Sequence, residues 1–134
     1  MEILALDVGA AKVGMARGSS AARLAEPLKT VKTSEALAGV QELIKQNKVE
    51  AIVIGLPRNL SGEDTGQTRW VREWVKTAQK EIGLPFYFQD EALTSIKAKS
   101  YELRAKSSYD EHALAAAAIL QDFLDAPPHQ RIMC

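Results

Sequence analysis

The spacing of apolar positions changes character several times along the chain. Ile3, Leu4, Ala5, Leu6 and Val8 form a nearly continuous apolar run broken only by Asp7, the pattern of a central strand covered on both faces. Lys12 to Gly18 reads as a second strand, joined to the first by a hairpin-like turn through Gly9-Ala10-Ala11. Arg23 to Val31 supplies a third, and Pro27 inside it points to a sheet edge. The period then becomes helical: Leu37, Val40, Leu43 and Ile44 share one face, and Ser34 is the expected cap. Ala51-Ile52-Val53-Ile54 is a short fourth strand that runs into Gly55-Leu56-Pro57 and a turn-rich loop from Arg58 to Gly66. A second helix is expected from about Gln67 to Ile82, with Trp70, Val71, Trp74, Val75, Ala78 and Ile82 on its apolar face.

Pro85 to Gln89 is a fifth strand, ending in Asp90-Glu91. Thr94 or Ser95 caps a charged helix that runs through about Lys106. Ser108 followed by Glu111 fits a capping box, and the helix it opens, Asp110 to about Asp125, is rich in alanine. Pro127-Pro128 stops that helix. The order β-β-β-α-β-α-β-α-α predicts an α/β fold: a mixed five-stranded sheet, parallel in its second half, flanked by helices. One domain is expected over residues 1–125, with a mobile tail over 126–134.

Composition narrows this picture. The chain has 134 residues, 46% hydrophobic and 25% charged, as in a soluble globular domain. No apolar run approaches the roughly 20 residues that span a bilayer, so no membrane partner is expected. The chain opens directly on a strand rather than on a signal peptide, and its single cysteine is Cys134, so a cytoplasmic protein is expected. A formal net charge of +0 argues against an overall basic coat for nucleic acid, though not against a local basic face.

The chemistry centres on Asp7. A charge inside an apolar strand is costly unless it is paired or binds a metal. Gly9 and Gly14 allow a tight turn or close backbone approach beside it. The plain alternative is a strand-ending turn former. The same strand–Asp–Gly–strand pattern also occurs in phosphate loops of actin-like ATPases, a fold that normally needs a second domain for which this chain has no room. Asp90 and Glu91 alternate along their strand, so only one of them is expected to face Asp7. Arg69, Arg72, Lys76 and Lys80 recur at helical spacing as one basic stripe, for which a solvated face is the simpler account.

Four segments in order resemble the YqgF/RuvX family of the RNase H-like superfamily, which includes the RuvC resolvases. Asp7-Val8-Gly9-Ala10-Ala11-Lys12-Val13-Gly14-Met15-Ala16 is similar to the family's D-x-G-x-x-R-[IV]-G-x-A. Gly55-Leu56-Pro57 with Gly62 resembles G-L-P-x-x-x-x-G. Asp90 to Ser95 resembles D-E-R-L-T-[TS], with Ala92 in place of the arginine. His112 to Gln121 resembles D-x-x-A-A-x-x-I-L-Q, with His112 in place of the acid and Asp110 two residues earlier.

The resemblance implies an RNase H-like fold and a nuclease that uses Mg²⁺ or Mn²⁺. Asp7 would bridge two ions, Glu91 would bind one, and either His112 or Asp110 would complete the site. A histidine ligand would shift the preference toward Mn²⁺. Lys12, Arg58 and the stripe Arg69, Arg72 and Lys76 would position phosphates, and Thr94 would orient Glu91 or cap its helix. The implied substrate is nucleic acid, either branched DNA at a Holliday junction or the 5′ end of pre-16S rRNA. Junction resolution implies a homodimer with two sites, for which Trp70, Trp74 and the alanine-rich helix are candidate interface material. A catalytically weak, nucleic-acid-binding member is the rival, distinguished by salt-sensitive binding without cleavage products.

Overall fold

The computed structural model describes residues 1–57, 63–90, 110–126 and 132–133. The apolar opening forms β1 (Glu2–Val8), which pairs antiparallel with β2 (Lys12–Ser19); β2 pairs in turn with β3 (Leu24–Lys32). Helix α1 (Thr33–Asn47) crosses to β4 (Ala51–Leu56), parallel to β1. Helix α2 (Gly66–Glu81) crosses to β5 (Phe86–Asp90), parallel to β4. Helix α3 (Glu111–Asp125) follows, and β6 (Ile132–Met133) closes the sheet against β5 in the order β3-β2-β1-β4-β5-β6.

Alternation along the inner strands sorts the side chains into two layers. Leu4, Leu6, Val13, Met15, Ile52 and Ile54 face α1 and α2. Ile3, Ala5 and Val53 face Ile119, Leu120 and Phe123 of α3. Each fully buried Leu, Ile or Phe contributes about 1.5–3 kcal/mol. The side chains of the Arg17–Glu26, Arg72–Asp64 and Lys76–Glu73 pairs are 38% exposed or more, where such pairs contribute about 0.2–1 kcal/mol. The layers, not the ion pairs, therefore hold the strand order.

The structure corrects several expectations. Among the described residues the sheet has six strands rather than five, because Phe88 and Tyr87 pair with Ile132 and Met133 of the expected tail. The cap of α1 is Lys32, without a side-chain hydrogen bond; Ser34 lies inside the helix, whose first residue is tied instead by its hydroxyl to the Gly9 carbonyl at 2.7 Å. Trp70 points outward and is 39% exposed, while Thr68 takes a fully buried place on α2. The charged helix expected from Thr94 or Ser95 to Lys106, and Ser108 of the capping box, lie outside the described residues. Among the described residues, no helix is long and apolar enough to cross a membrane.

Candidate active site

Asp7 sits one residue from the end of β1, with the same strand parity as Ile3 and Ala5, so its carboxylate points to the α3 side. Its antiparallel partner on β2 is Gly14, which is itself paired with Thr30 of β3. A Cβ on Gly14 would lie 1.9 Å from the His112 carbonyl oxygen and 2.7 Å from the Ala113 nitrogen. The first turn of α3 therefore rests directly on the β2 backbone, at the row that carries Asp7. The small residues continue in the same register. Ala16 packs against Ala116 and Ala117, and a side chain on Gly18 would meet Leu120 and Leu124. Gln121 then fastens the helix to the edge strand: its amide donates to the Arg23 carbonyl at 3.0 Å, and its oxygen accepts from the Ala25 N–H at 3.1 Å.

This seating brings His112 beside Asp7, with Nδ1 3.8 Å from the carboxylate Oδ2. The separation exceeds a hydrogen bond. The imidazole's other nitrogen lies 3.9 Å from Glu111. Asp110 has a different task. It is the N-cap of α3, and its carboxylate accepts from the His112 N–H at 2.7 Å. That backbone bond, aided by the charge of His112, the Thr30 hydroxyl and Lys12, holds the Asp110 carboxyl below its ordinary value despite some burial. Of the two competing residues, His112 is thus placed next to Asp7, and Asp110 satisfies the helix start.

The turn before the site is tight. Gly9 N–H donates to the Lys12 carbonyl at 2.9 Å, and a Cβ on Gly9 would lie 2.9 Å from that same oxygen. Lys12 is exposed at the start of β2 and has the parity of Gly14. Gly55 is buried in β4 and pairs with Gln89. Asp90 has the parity of Phe86 and Phe88, which pack in the α1 and α2 layer. The acid one residue further on, Glu91, lies outside the described residues, as do Arg58, Gly62 and Thr94. Arg69, Arg72 and Lys76 belong to α2, in the layer across the sheet from α3. Arg72 pairs with Asp64 at 3.2 Å and lies over the Phe88 ring, and Lys76 pairs with Glu73 at 3.1 Å.

The carboxylate–imidazole pair suits a divalent cation. Neighbouring donors at roughly 2.1 Å from one octahedral ion lie about 3 Å apart, so Asp7 and His112, 3.8 Å apart, would close by somewhat under 1 Å to share one. Among the described residues no group of three acids, histidines or cysteines gathers. Thr30, beside Asp110, escaped the sequence reading. Its β3 strand was legible only as a proline-marked edge, and its alignment with Gly14 and Asp7 depends on sheet register.

The family model described as RuvX, Holliday junction resolvase, matches residues 1–126. A protein of Moorella thermoacetica named "Putative pre-16S rRNA nuclease" is 36% identical over 133 residues, 93% of this chain and 95% of its own length. One of the same name from a Roseiflexus species is 34% identical over 132 residues, covering 92% of this chain and 94% of that protein. Among solved structures, Thermus thermophilus RuvC matches across 100% of both chains with a TM-score of 0.67 and 18% identity. RuvC of the same organism in complex with a Holliday junction substrate matches with a TM-score of 0.65 and 18% identity over 100% of this chain and 99% of that one. These likenesses show an RNase H-like fold.

Proposed function

Because the chain belongs to the RuvX family, we propose that it is a metal-dependent nuclease that hydrolyses phosphodiester bonds in structured nucleic acid. The approach of His112 to Asp7 at the end of the central strand carries this reading. Asp7 and His112 would hold the cation, with Glu91 as the further carboxylate. Mg²⁺ or Mn²⁺ bound there supplies an activated water and neutralises charge on the phosphate. Asp7 would contribute carboxylate oxygens and His112 an imidazole nitrogen, a set that favours Mn²⁺ more than an all-carboxylate one would. Gly14 lets the helix backbone fix the spacing of the two donors. Lys12, on the same sheet face, attracts the substrate phosphate.

The names carried by the relatives that match along nearly their whole length support trimming of a ribosomal RNA precursor as the activity. Junction resolution is the second reading, supported by the family description. Purified protein assayed side by side on a pre-16S rRNA leader and a four-way DNA junction separates them. Cleavage of the RNA is expected with Mg²⁺ or Mn²⁺ and none with EDTA. Asp7→Asn and His112→Ala should each lower the rate by more than about 100-fold, since even residues that only support metal ligands cost 10–100-fold. Asp110→Asn should leave it nearly unchanged, because asparagine caps helices as well as aspartate does. Full activity in Asp7→Asn, or in EDTA, would overturn the reading.

A further inference from the structure

A groove of about 490 Å³ opens beside α3, lined among others by Lys12, Lys29, Thr30, Lys32 and Asp110. The charge lining it is mostly positive. Lys12 and Lys32 are direct cross-strand partners, and like charges placed opposite each other destabilise a ladder. Among the described residues no ion pair joins Lys29 or Lys32 to a carboxylate. Asp110 supplies one negative charge against three positive ones, and its carboxylate is already engaged with the start of α3. Edge lysines also discourage strand-to-strand aggregation. That role does not require one of them to face Lys12 across the ladder.

The groove has a fixed relation to Asp7. Asp7, Gly14 and Thr30 form one cross-strand row, so Thr30 lies two strand spacings, about 10 Å, from the acid. Lys12 and Lys32 form the pair two residues along the ladder, with the same parity and thus on the same sheet face, whereas Lys29, paired with Met15, has the opposite parity and lines the groove from the open edge of the sheet. Resting on the nuclease reading above, we infer that Lys29 and Lys32 of the edge strand, with Lys12, form a seat for the sugar–phosphate backbone of the substrate strand where it leaves Asp7 and passes outward over β2 and β3. The seat binds phosphates without reading bases. Lysine ammonium groups are donors that phosphate oxygens accept from.

Fluorescence anisotropy in EDTA tests this, with a labelled RNA hairpin bearing a single-stranded tail and a labelled four-way DNA junction as probes, across a series of KCl concentrations. Lys29→Gln/Lys32→Gln should flatten the plot of log K against log[KCl] by about 1.5 in slope, the release of two phosphates' counterions, and weaken binding about 10-fold at 0.1 M salt. Lys29→Arg/Lys32→Arg should restore both, and Lys45→Gln/Lys48→Gln, at the end of α1, should change neither. A change confined to one probe supports the seat and identifies which nucleic acid occupies it. Wild-type-like slope and affinity in Lys29→Gln/Lys32→Gln on both probes would overturn the seat and leave the nuclease reading standing. Failure of the unmodified protein to bind either probe would overturn both.

Discussion

At the scale of single residues, Gly14 has the most to say. Its missing Cβ is where the carbonyl of His112 passes, so Gly14→Ala must lift the start of α3 or deform β2. Forcing one extra methyl into such packing costs about 1–3 kcal/mol. Urea unfolding should show that loss, and nuclease activity should fall with it because the Asp7–His112 spacing changes. A variant with wild-type stability and activity would mean that the helix does not sit there. The sequence marked Gly14 as a point of close approach but not what approaches, since His112 is nearly a hundred positions away along the chain. For the same reason Asp110 and His112 could not be ranked by helical spacing. Their roles separate only once the cap hydrogen bond and the distance to Asp7 are known.

At the scale of elements, periodicity located α2 and α3 to within a residue, while α1 begins two residues before the position that a Ser34 cap implies, and end chemistry was harder to read. The start of α2 is a capping box between Thr65 and Thr68 without the usual glutamate, and the buried Thr68 hydroxyl also donates to the Pro57 carbonyl. That arrangement leaves little trace in composition. The basic stripe of α2 was visible, but its local partners were not. Arg72 combines an ion pair to Asp64 with a position 5.1 Å from the centre of the Phe88 ring. Arg72→Ala should therefore cost roughly 1 kcal/mol in stability, the sum of a partly exposed pair and a cation–π contact. Chemical denaturation measures it, and no loss would show that neither contact persists in solution. The alanine-rich α3, a candidate interface in the sequence, is instead consumed by the fold: Ala113 and Ala116 to Ala118 are all fully buried.

At the scale of the molecule, the mixed topology followed from the order of elements, and the two-layer core followed from alternation. The sixth strand did not follow, because two residues after a pair of prolines carry no strand signal. Ile132 and Met133 are 54% and 62% exposed, so β6 adds an edge more than a core. Truncation after Ala126 should lower the unfolding free energy by less than about 1 kcal/mol and leave the urea m-value unchanged. A larger loss would mean that the terminal residues do more than cover the edge of β5.

The flush contact between α3 and β2 has one more consequence. Main chain resting on main chain has no rotamers to sample, so the acid on the strand and the imidazole on the helix are carried by two bodies pressed together along one close-packed seam that begins at Gly14. Thermal motion can rock these bodies but cannot easily drive them together or let them drift apart while the small-residue seam below stays closed. The spacing of the two backbones that carry these side chains behaves as a mechanical stop, set when the chain folds and held until the seam opens. Warming should then leave catalysis following ordinary activation behaviour until unfolding begins, with no intermediate range in which the folded protein persists but its site has slackened.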